Sequence, residues 1–414
     1  MHSLVLIALL AWVQADAMTL LEVDAEALAN NPDIRSLEQQ ARVAESRLGS
    51  AAAVDDPQLG YRAWGTPLLQ PWNLNRTQHM FMFTQNVPGR GKRELRYLIA
   101  ADDAETQALF VEAKKREIIG LVHQAFYRVL RSYDQVRIHH DQVALAEQAI
   151  NATRIQYKAG TVSQKDVLQA GVALSRLSEH LIMFEREADS ARADLNTLMG
   201  RPPDQPLEVT GQYGVLDTLP SQNELLAVAA RNRPELLALE VMKKQGTHKV
   251  QLAEKGFRPD YSISAGYMLM PSGSLNRNGY LAEFSMTLPW LNRGKHDAEI
   301  QQAKEEATSV QTEYERQRAV ISKEIRDALI RAESARKVVQ LYRDTLRPDL
   351  QNVSKAAIVA YQTNQTGLLS VIDTQTMSVE AEYALFEALS EYEQSLSALE
   401  RAIGIPLPGE RKPL

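Results

Sequence analysis

The sequence FTQNVPGRGKRELR, residues 83–96, decides how this chain folds, because one kind of secondary structure ends within it and another begins. Its first residues read as a β-strand, Pro88 interrupts that strand, and two glycines lead into a run of charged residues. The sequence FSMTLPWLNRGKHDAEI, residues 284–300, repeats this order, with Pro289 standing 201 residues after Pro88. The chain therefore contains the same strand-to-helix junction twice.

The two junctions belong to a duplication of the whole chain. Pro32 in NNPDIRSLEQ is followed 202 residues later by Pro234 in RNRPELLALE, and Gly200 in LNTLMG is followed 204 residues later by Gly404 in LERAIG. Landmarks that keep their order and spacing indicate two copies of one structural unit. The predicted divisions are a first repeat at 18–204, a linker at 205–219, a second repeat at 220–408 and a C-terminal tail at 409–414.

Long helices are predicted to occupy most of each copy. No proline occurs between Pro88 and Pro202, and such a gap favours helix. Apolar residues at alternating three- and four-residue steps, such as Ile119, Val122 and Phe126, predict a seam that packs against other helices. The predicted elements are opening helices at 25–54 and 224–256, long helices at 92–157 and 295–361, and return helices at 163–199 and 367–403.

Each long helix is expected to end at a turn, YKAGTVS in the first copy and YQTNQTG in the second. Gly160 and Asn364 suit the left-handed backbone conformation that closes a helix. Ser163 and Asp166 match a capping box at the start of the first return helix. Pro348 predicts a kink in the second long helix, because proline removes a backbone donor and its ring meets the preceding turn.

A β-hairpin is predicted in each copy, at 57–88 and 259–289. In YSISAGYML, residues 261–269, apolar residues alternate with small or polar ones, which predicts a strand with one apolar and one polar face. The candidate strands match the ~9 to 11 residues of a tilted transmembrane β-strand. A soluble hairpin packed on a core would show the same alternation. In a membrane, one chain would supply only four strands, fewer than the roughly eight of small closed barrels, so several chains would have to pool their strands.

The composition excludes several classes of function. The net charge of −6 argues against nucleic-acid binding, and the absence of cysteine excludes disulfides, thiolate metal sites and a cysteine nucleophile. GRGK lacks the upstream glycine of a phosphate-binding loop, and Arg93 stands where that loop needs Ser or Thr. His139 and His140 are adjacent and diverge around a helix, so packing or solvation is their expected role. We therefore expect no enzyme, no cofactor and no metal site.

The segment 1–17 is predicted to be a signal peptide. LVLIALLAWV is an apolar core too short to span a bilayer as a helix, and ADA at 15–17 has the form of a cleavage site. The residues before this core lack the usual Lys or Arg and offer only His2. We expect export with cleavage after Ala17, and no later stretch is apolar for long enough to form a transmembrane helix.

The order of these features resembles the TolC-type outer-membrane efflux channel family. The resemblance rests on the duplicated helix, hairpin, long helix and return helix, on the QNVPGRGKR junction, and on Y-x-A-G-x-x-S-x-x-D-V-L at the first helical turn. It covers nearly the whole mature chain. It implies a mainly α fold with a β-barrel, in which a homotrimer forms a twelve-stranded transmembrane β-barrel continuous with a twelve-helix α-barrel in the periplasm.

The resemblance also implies a function and a set of partners. Channels of that family passively conduct substrates delivered by an inner-membrane efflux pump, here expected to be of the RND type, and by a periplasmic adaptor protein. The expected location is the outer membrane of a Gram-negative bacterium, with the barrel in contact with lipid. Pro88 with Gly91, and Pro289 with Gly294, would then redirect the chain where the barrel meets the tunnel.

The resemblance places a periplasmic gate just past the second helical turn, where relatives carry aspartates. The corresponding positions are Ser370 and Asp373, and three Asp373 carboxylates would form a ring that favours cations. The alternative is an ordinary acid near a helix start, stabilised by the helix dipole. Asp166, in the equivalent region of the first copy, is expected to be a cap rather than a gate residue. The turn residues expected to contact the adaptor are Gly160, Thr161, Ser163, Asn364 and Gly367.

The substrate and one alternative function stay open at this level. The QNVPGRGKR junction resembles the heavy-metal branch of the family more than the drug branch, so heavy-metal cations are one expected substrate. Soft ligands on the strands would be His79, Met80, Met82, Met268, Met270 and Met286, although methionine more often fills apolar space. A periplasmic coiled-coil adaptor or scaffold without a pore is the alternative function, because it would also explain the helical seams.

Overall fold

The computed structural model describes residues 17–65, 76–216, 218–270, 278–363, 365–408 and 412–413. The chain divides into two compact units, and each unit takes segments from both sequence repeats. The helical unit contains the described residues of Met1–Arg35, Ala113–Arg233 and Val320–Leu414, and the sheet unit contains those of Ser36–Glu112 and Pro234–Ala319. Residues 1–16 of the predicted signal peptide, Asn364 and most of the C-terminal tail lie outside the described residues.

Helices make up most of the described chain. In chain order they are α1 (Leu20–Asn30), α2 (Pro32–Ala52), α3 (Lys92–Lys158), α4 (Gln164–Leu198), α5 (Gln222–Asn232), α6 (Pro234–Glu254), α7 (Arg293–Leu341), α8 (Arg347–Gln362) and α9 (Leu368–Ile403). The strands are β1 (Gln58–Trp64), β2 (Gln78–Val87), β3 (Gly214–Val215), β4 (Tyr261–Leu269), β5 (Gly279–Met286) and β6 (Lys412–Pro413). None of the helices in the described ranges is both long enough and apolar enough to span a bilayer.

Each predicted opening helix is divided into two helices, so the single helix expected in both copies was wrong. α1 ends before Asn31, with φ −59° and ψ 125°, and α5 ends before Arg233, with φ −75° and ψ 114°. The next helices begin at Pro32 and Pro234. A proline disfavours helical conformation at the residue before it, whereas its own fixed φ suits the first position of a new helix. The prolines that mark the duplication therefore also mark a helix break that occurs at the same position in both repeats.

The first long helix is continuous, and the second is not. α3 runs without interruption for 67 residues, as the absence of proline predicted. In the second copy a π-helical turn at Tyr342–Leu346 separates α7 from α8, so the helix predicted at 295–361 is interrupted directly before Pro348, where the sequence predicts a kink. Pro348 lies in the first turn of α8, and its ring opposes the carbonyl of Asp344, four residues earlier and inside the π-helical turn. A wider turn relieves such a clash, which gives the physical reason for the interruption.

The core of the helical unit is built from α1, α3, α4 and α9. Val122, Phe126 and Val129 of α3 are at most 1% exposed, which confirms the apolar seam predicted for this part of the long helix. They belong to one cluster with Val23 and Ala27 of α1, Leu195 of α4, Met199 directly after α4, and Leu385 and Leu389 of α9. Burial of a large apolar side chain contributes ~1.5–3 kcal/mol, so packing rather than helix propensity holds these helices in place.

The segment between the two repeats is packed into this core. Leu207 and Tyr213 are buried, and the Tyr133 hydroxyl donates a hydrogen bond to the Leu207 carbonyl at 2.7 Å. β3 lies in this segment and pairs antiparallel with β6. The buried Glu393 carboxylate on α9 accepts a hydrogen bond from the Gly214 N–H at 2.7 Å. The connection between repeats is therefore a structural part of the helical unit.

The four long strands of the sheet unit form one antiparallel sheet in the order β1-β2-β4-β5. The register places a row of aromatic side chains on one face: Tyr61, Phe81, Tyr267 and Tyr280. These side chains are between 39% and 91% exposed, and we call this side of the sheet the apolar face. Ser264 and Thr84 lie on the other side, the polar face, with their hydroxyl oxygens 2.9 Å apart. The alternation predicted for residues 261–269 is confirmed.

The first junction, between β2 and α3, is shaped by a close approach of two chain segments. β2 ends immediately before Pro88, as expected. At Gly89 a Cβ atom would lie 2.6 Å from the carbonyl oxygen of Pro259, which is closer than a side chain can approach. Gly91 then turns the chain with φ +85°, a conformation that favours glycine. The two glycines thus serve different purposes, one steric and one conformational.

The second junction, between β5 and α7, has a different form. Pro289 begins a 3₁₀ turn, Pro289–Asn292, and α7 starts directly afterwards. Gly294 therefore lies in the first turn of a helix, with open space where a Cβ would be. The redirection of the chain by Gly294 that the sequence predicted was wrong, because the 3₁₀ turn has already completed it. Pro289 alone acts at the predicted place.

Substitution of Gly89 by alanine is expected to destabilise the protein by about 1–3 kcal/mol, because the new Cβ must displace the backbone at Pro259. Gly294→Ala is the matched control, since the helix gains a better helix former and the site has space. We expect Gly294→Ala to leave stability unchanged or to raise it slightly. The measurement is the unfolding temperature of both variants in detergent, and equal effects would contradict the assigned roles.

Candidate functional site

The sheet has one exposed apolar face and one polar face. Its strands are 7 to 10 residues long. On the apolar face the ring centroids of Tyr267 and Tyr280 are 5.4 Å apart, and those of Tyr261 and Phe284 are 5.9 Å apart. Exposed aromatic and aliphatic groups on one face, with hydroxyl and amide groups on the other, fit a sheet between lipid and a wet lumen. β1 and β5 form the two edges and pair with no further strand in the described part of the chain.

Asp260 is the main electrostatic contact of the first junction, just before β4. One of its carboxylate oxygens, Oδ1, accepts hydrogen bonds from the Gly89 N–H at 2.6 Å and from the Lys92 ammonium at 2.8 Å. Partial burial by itself raises the pKa of Asp260, but the hydrogen bonds from Lys92 and Gly89, with the charges of Lys92 and Arg96, outweigh it and hold the pKa below 3.8. The Asp260 carboxylate therefore links the residues at the start of α3 to the residue directly before β4.

In the first helical turn, between α3 and α4, the carboxylate of Asp166 is part of a helix cap. Gly160 has φ +71°, and the Thr161 N–H donates to the Gln156 carbonyl at 3.0 Å, which closes α3. Ser163 is the N-cap of α4, and its N–H and hydroxyl donate to the Asp166 carboxylate at 2.9 and 2.7 Å. The Ser163 hydroxyl first, and then its N–H, hold the pKa of Asp166 below the ordinary value. The predicted capping role of Asp166 is confirmed.

The second helical turn, between α8 and α9, has no comparable cap, and the acid near it, Asp373, is exposed. The Gln365 N–H donates to the Ala360 carbonyl at 2.8 Å, the same closing bond as in the first turn. Gly367 is the N-cap of α9 and has no side chain that could form a capping box. Asp373 is exposed on α9 and makes no hydrogen bond or ion pair with another described residue. Ser370 is exposed as well.

The two helical turns are joined within one chain. Gln156 near the end of α3 donates a hydrogen bond from its amide nitrogen to the Tyr361 hydroxyl near the end of α8, at 3.2 Å. The described turn residues expected to contact an adaptor are all exposed: Gly160, Thr161, Ser163 and Gly367. The structure therefore gathers both turns at one end of the helical unit and leaves their surface open.

Sequence reasoning missed a serine, histidine and aspartate arrangement in the helical unit. His123 on α3 lies 2.9 Å from the Asp24 carboxylate on α1 and 3.4 Å from the Ser397 hydroxyl on α9. No local motif links the three, so only the fold reveals them. Ser397 is 1% exposed and its hydroxyl donates to the Glu393 carbonyl at 2.9 Å, so no substrate can reach it as a nucleophile. The arrangement acts as a buried polar contact between helices.

The soft ligands considered on the strands do not form one cluster. Met80 lies opposite Met268 in the register, on the polar face with Met82. His79 and Met286 lie on the apolar face. Across the described ranges, no group of three or more His, Cys, Asp or Glu side chains could hold a metal ion. The sheet therefore offers no assembled site for tight metal binding by such groups.

Known families and proteins resemble this chain over most of its length. The family model described as outer membrane efflux protein matches residues 25–201 and 225–405. The cobalt-zinc-cadmium resistance protein CzcC of Cupriavidus metallidurans is 24% identical over 318 residues, which cover 76% of this chain and 74% of that protein. The outer membrane protein TolC of Salmonella enteritidis is 19% identical, with 95% of this chain and 86% of that protein covered.

Solved structures share the fold. The outer-membrane channel OprN superposes with a TM-score of 0.77 at 18% identity, covering 93% of this chain and 89% of that chain. A crystal structure of CusC, a protein that undergoes conformational changes accompanying folding and transmembrane channel formation, gives a TM-score of 0.77 at 17% identity, covering 93% of this chain and 92% of that chain. At such low identity these structures establish the fold and leave the roles of individual residues to be argued from this chain.

Asp260→Asn is expected to lower the stability of the protein at neutral pH by about 1–2 kcal/mol, since it leaves the Lys92 ammonium, only 10% exposed, without its carboxylate. The pKa of Asp260 is lowered in the folded state, so its contribution is present above the unfolded pKa and is lost as pH falls through the folded pKa. The unfolding temperatures of wild type and variant should therefore converge below about pH 4.

The matched control is Asp327→Asn on α7. Asp327 pairs with Lys323 at 2.6 Å, but there the lysine is 77% exposed. Exposed pairs contribute little, so this variant should change stability less at every pH. A difference between wild type and Asp260→Asn that stays constant from pH 7 to pH 3 would contradict the assigned role of the Asp260 charge.

Proposed function

This chain belongs to the outer membrane efflux protein family, and we propose that three copies of it form one continuous exit duct. As a member of that family it is an outer-membrane efflux channel of a Gram-negative bacterium and not an enzyme. Members of the family form trimers and work with periplasmic adaptor proteins and inner-membrane pumps. The proposal extends this to the barrel, the tunnel, the gate and the docking surface of this chain.

The main support for this proposal is that the two edge strands of the sheet, β1 and β5, are unpaired on their outer sides in the described chain. One chain contributes four long strands, β1, β2, β4 and β5, whose apolar face is exposed. Four strands cannot close a barrel, and an open edge cannot lie in lipid because its backbone groups would lose their hydrogen bonds. Pairing of β5 in one copy with β1 in the next satisfies both edges, and three copies give a barrel of twelve strands.

Exposed apolar side chains on the long helices support the tunnel. Each chain provides four long helical segments, namely α3, α4, α7 with α8, and α9, so a trimer provides twelve. Leu168 and Ile182 on α4 are 62% and 67% exposed in one chain, and Val359 on α8 is 58% exposed. Contact with helices of neighbouring copies would remove this area from water, at ~25 cal/mol for each Å² buried. Such contacts would extend the barrel into a helical tunnel.

Asp373 is the proposed gate residue. Its carboxylate is exposed and free of partners among the described residues, whereas Asp166 at the equivalent turn is held by Ser163. Threefold symmetry would bring three Asp373 carboxylates to one level of the tunnel, next to Ser370. A ring of negative charge at a constriction concentrates cations and repels anions. Asp166 is therefore assigned to the cap and not to the gate.

The helical turns are the proposed contact surface for the adaptor. Gly160, Thr161, Ser163 and Gly367 are exposed at the end of the helical unit, where the Gln156 to Tyr361 hydrogen bond holds the two turns together. Asn364 completes the sequence-based set but lies outside the described residues. An inner-membrane pump of the RND type would reach the channel through that adaptor.

Heavy-metal cations are the proposed substrate class. The name of CzcC, a cobalt-zinc-cadmium resistance protein, supports this assignment, and a cation-selective gate at Asp373 is compatible with it. A passive duct needs no tight metal site along its wall, so the absence of a three-ligand cluster in the described ranges does not oppose it. The other function considered from sequence, a periplasmic adaptor without a pore, is not retained because the chain belongs to the channel family.

The mature protein, purified in detergent, is expected to be a trimer and to produce discrete, cation-selective openings in a planar lipid bilayer. Light scattering corrected for bound detergent gives the oligomer mass, and conductance is recorded on the same sample. The physical reason is that only the assembled sheet has no open edge in lipid. A monomer that is soluble without detergent and gives no conductance would contradict the proposal.

Asp373→Ala is expected to reduce the preference of the open channel for cations over anions by roughly tenfold, the lower end of the enrichment produced by a charged constriction. The measurement is the reversal potential in a salt gradient. Asp166→Asn is the control, because its carboxylate belongs to the Ser163 cap, and it should leave the reversal potential unchanged. An unchanged reversal potential in Asp373→Ala would remove this residue from the gate.

A further inference from the structure

An aromatic cluster surrounds a buried histidine in the helical unit. His139 on α3 is 2% exposed. Its ring centroid lies 4.5 Å from that of Phe184 on α4, 4.8 Å from that of Tyr383 on α9 and 5.9 Å from that of His180 on α4. The adjacent His140 points elsewhere and pairs with Glu185 at 3.6 Å. The fold thus brings together two histidines that lie 41 positions apart in the sequence.

One ring nitrogen of His139 is buried without a hydrogen-bond partner. Its Nε2 lies 3.3 Å from the Tyr383 hydroxyl, but its Nδ1 has no partner among the described residues. Buried polar atoms are nearly always satisfied, so an exception calls for an explanation. If Nε2 carries the proton and donates it to the Tyr383 oxygen, Nδ1 presents an unused lone pair. Metal-binding histidines commonly donate their other ring N–H in this way.

Both histidines offer ring nitrogens that a metal ion could use. A neutral imidazole binds metal ions through a ring nitrogen, and the unpartnered Nδ1 of His139 is such an atom. His180 is exposed and makes no hydrogen bond or ion pair with another described residue, so its ring nitrogens are also available.

The spacing of the two rings fits a shared ion. A metal–nitrogen bond is ~2.0 Å long, and the two ring centroids are 5.9 Å apart, so the separation leaves room for one ion between the rings.

We propose that His139 and His180 form a two-coordinate site for a soft monovalent cation, Cu(I) or Ag(I). Both ions accept two ligands in a line, whereas Zn(II) and Co(II) normally need four or more. No carboxylate joins the pair in a larger cluster within the described residues. The cost of placing charge in an apolar site rises with the square of the charge, so an uncharged pair of ligands beside Phe184 favours a monovalent ion over a divalent one.

This site goes beyond the proposed function and does not depend on which substrate the channel carries. An ion bound there would link α3 to α4 directly. Tyr383 of α9 would act as a positioning residue, because its hydroxyl orients His139 without touching the metal. A channel that fails to conduct in bilayers would leave the binding test unaffected, so the two proposals fail separately.

The site is tested with Ag(I), which requires no reductant, on the full chain in chloride-free detergent buffer. Wild type should bind one Ag(I) per chain above the weaker background from methionines, measured by calorimetry against a competing chelator. His180→Gln should weaken this binding by at least about 100-fold, since loss of a direct ligand exceeds the usual cost of an outer contact. Unchanged binding in His180→Gln would overturn the proposal.

His140→Gln is the matched control, because His140 neighbours the site in sequence, is 60% exposed and takes no part in the pair. It should bind Ag(I) like wild type, and an equal loss in both variants would overturn the proposal. Tyr383→Phe should weaken binding by roughly tenfold, as expected for an outer contact. Tight Zn(II) binding that is lost in His180→Gln would overturn the assignment to a monovalent ion.

X-ray absorption of the Cu(I)-loaded protein gives a measurement that does not depend on any variant. Two nitrogen ligands in a linear arrangement are expected for wild type and for Tyr383→Phe, which retains both imidazoles. A spectrum dominated by sulfur ligands in wild type would place the ion at the methionines and overturn the proposal. If Tyr383→Phe bound Ag(I) as tightly as wild type, Tyr383 would have no positioning role at the metal site.

Discussion

The structure depends above all on one constraint, that backbone N–H and C=O groups at the edge of a sheet cannot stay unpaired in lipid. Within one chain this constraint is met between β2 and β4, where the hairpin of the first repeat pairs with that of the second. β1 and β5 each keep one open edge in the described chain. In the proposed channel, association of several copies would therefore be a condition of residence in the membrane.

The junctions between the sheet and the helices that follow it are equally important, because they set the direction in which α3 and α7 leave the sheet. The two repeats meet this demand differently. In the first, Gly89 lets the chain approach Pro259 closely, and Asp260 then binds both the Gly89 N–H and Lys92. In the second, a short 3₁₀ turn that starts at Pro289 is sufficient. The first junction is thus fixed by contacts between repeats, and the second by local backbone geometry.

Local chemistry explains which features could be predicted from sequence. The closing turn at Gly160, the Ser163 cap and the alternation of residues 261–269 depend on near neighbours in the chain, and all three were found. The helix breaks at Pro32 and Pro234 were missed although the rule that explains them is also local. The His139 and His180 pair and the buried contacts of His123 could not be predicted, because the fold alone brings their elements together.

The difference between the two helical turns shows how a duplicated chain can separate structure from function. In the first copy the Asp166 carboxylate accepts hydrogen bonds from the N–H and hydroxyl of Ser163, and this cap stabilises the start of α4. In the second copy Gly367 cannot cap α9, so the helix start lacks this stabilisation. Ser370 occupies the position equivalent to Asp166, and Asp373, three residues further on, is exposed. In the proposed trimer the difference would occur three times, and the two turns would alternate around the end of the tunnel. One exposed acid per chain would then be enough to form a complete ring of charge, while the other turn would keep its cap.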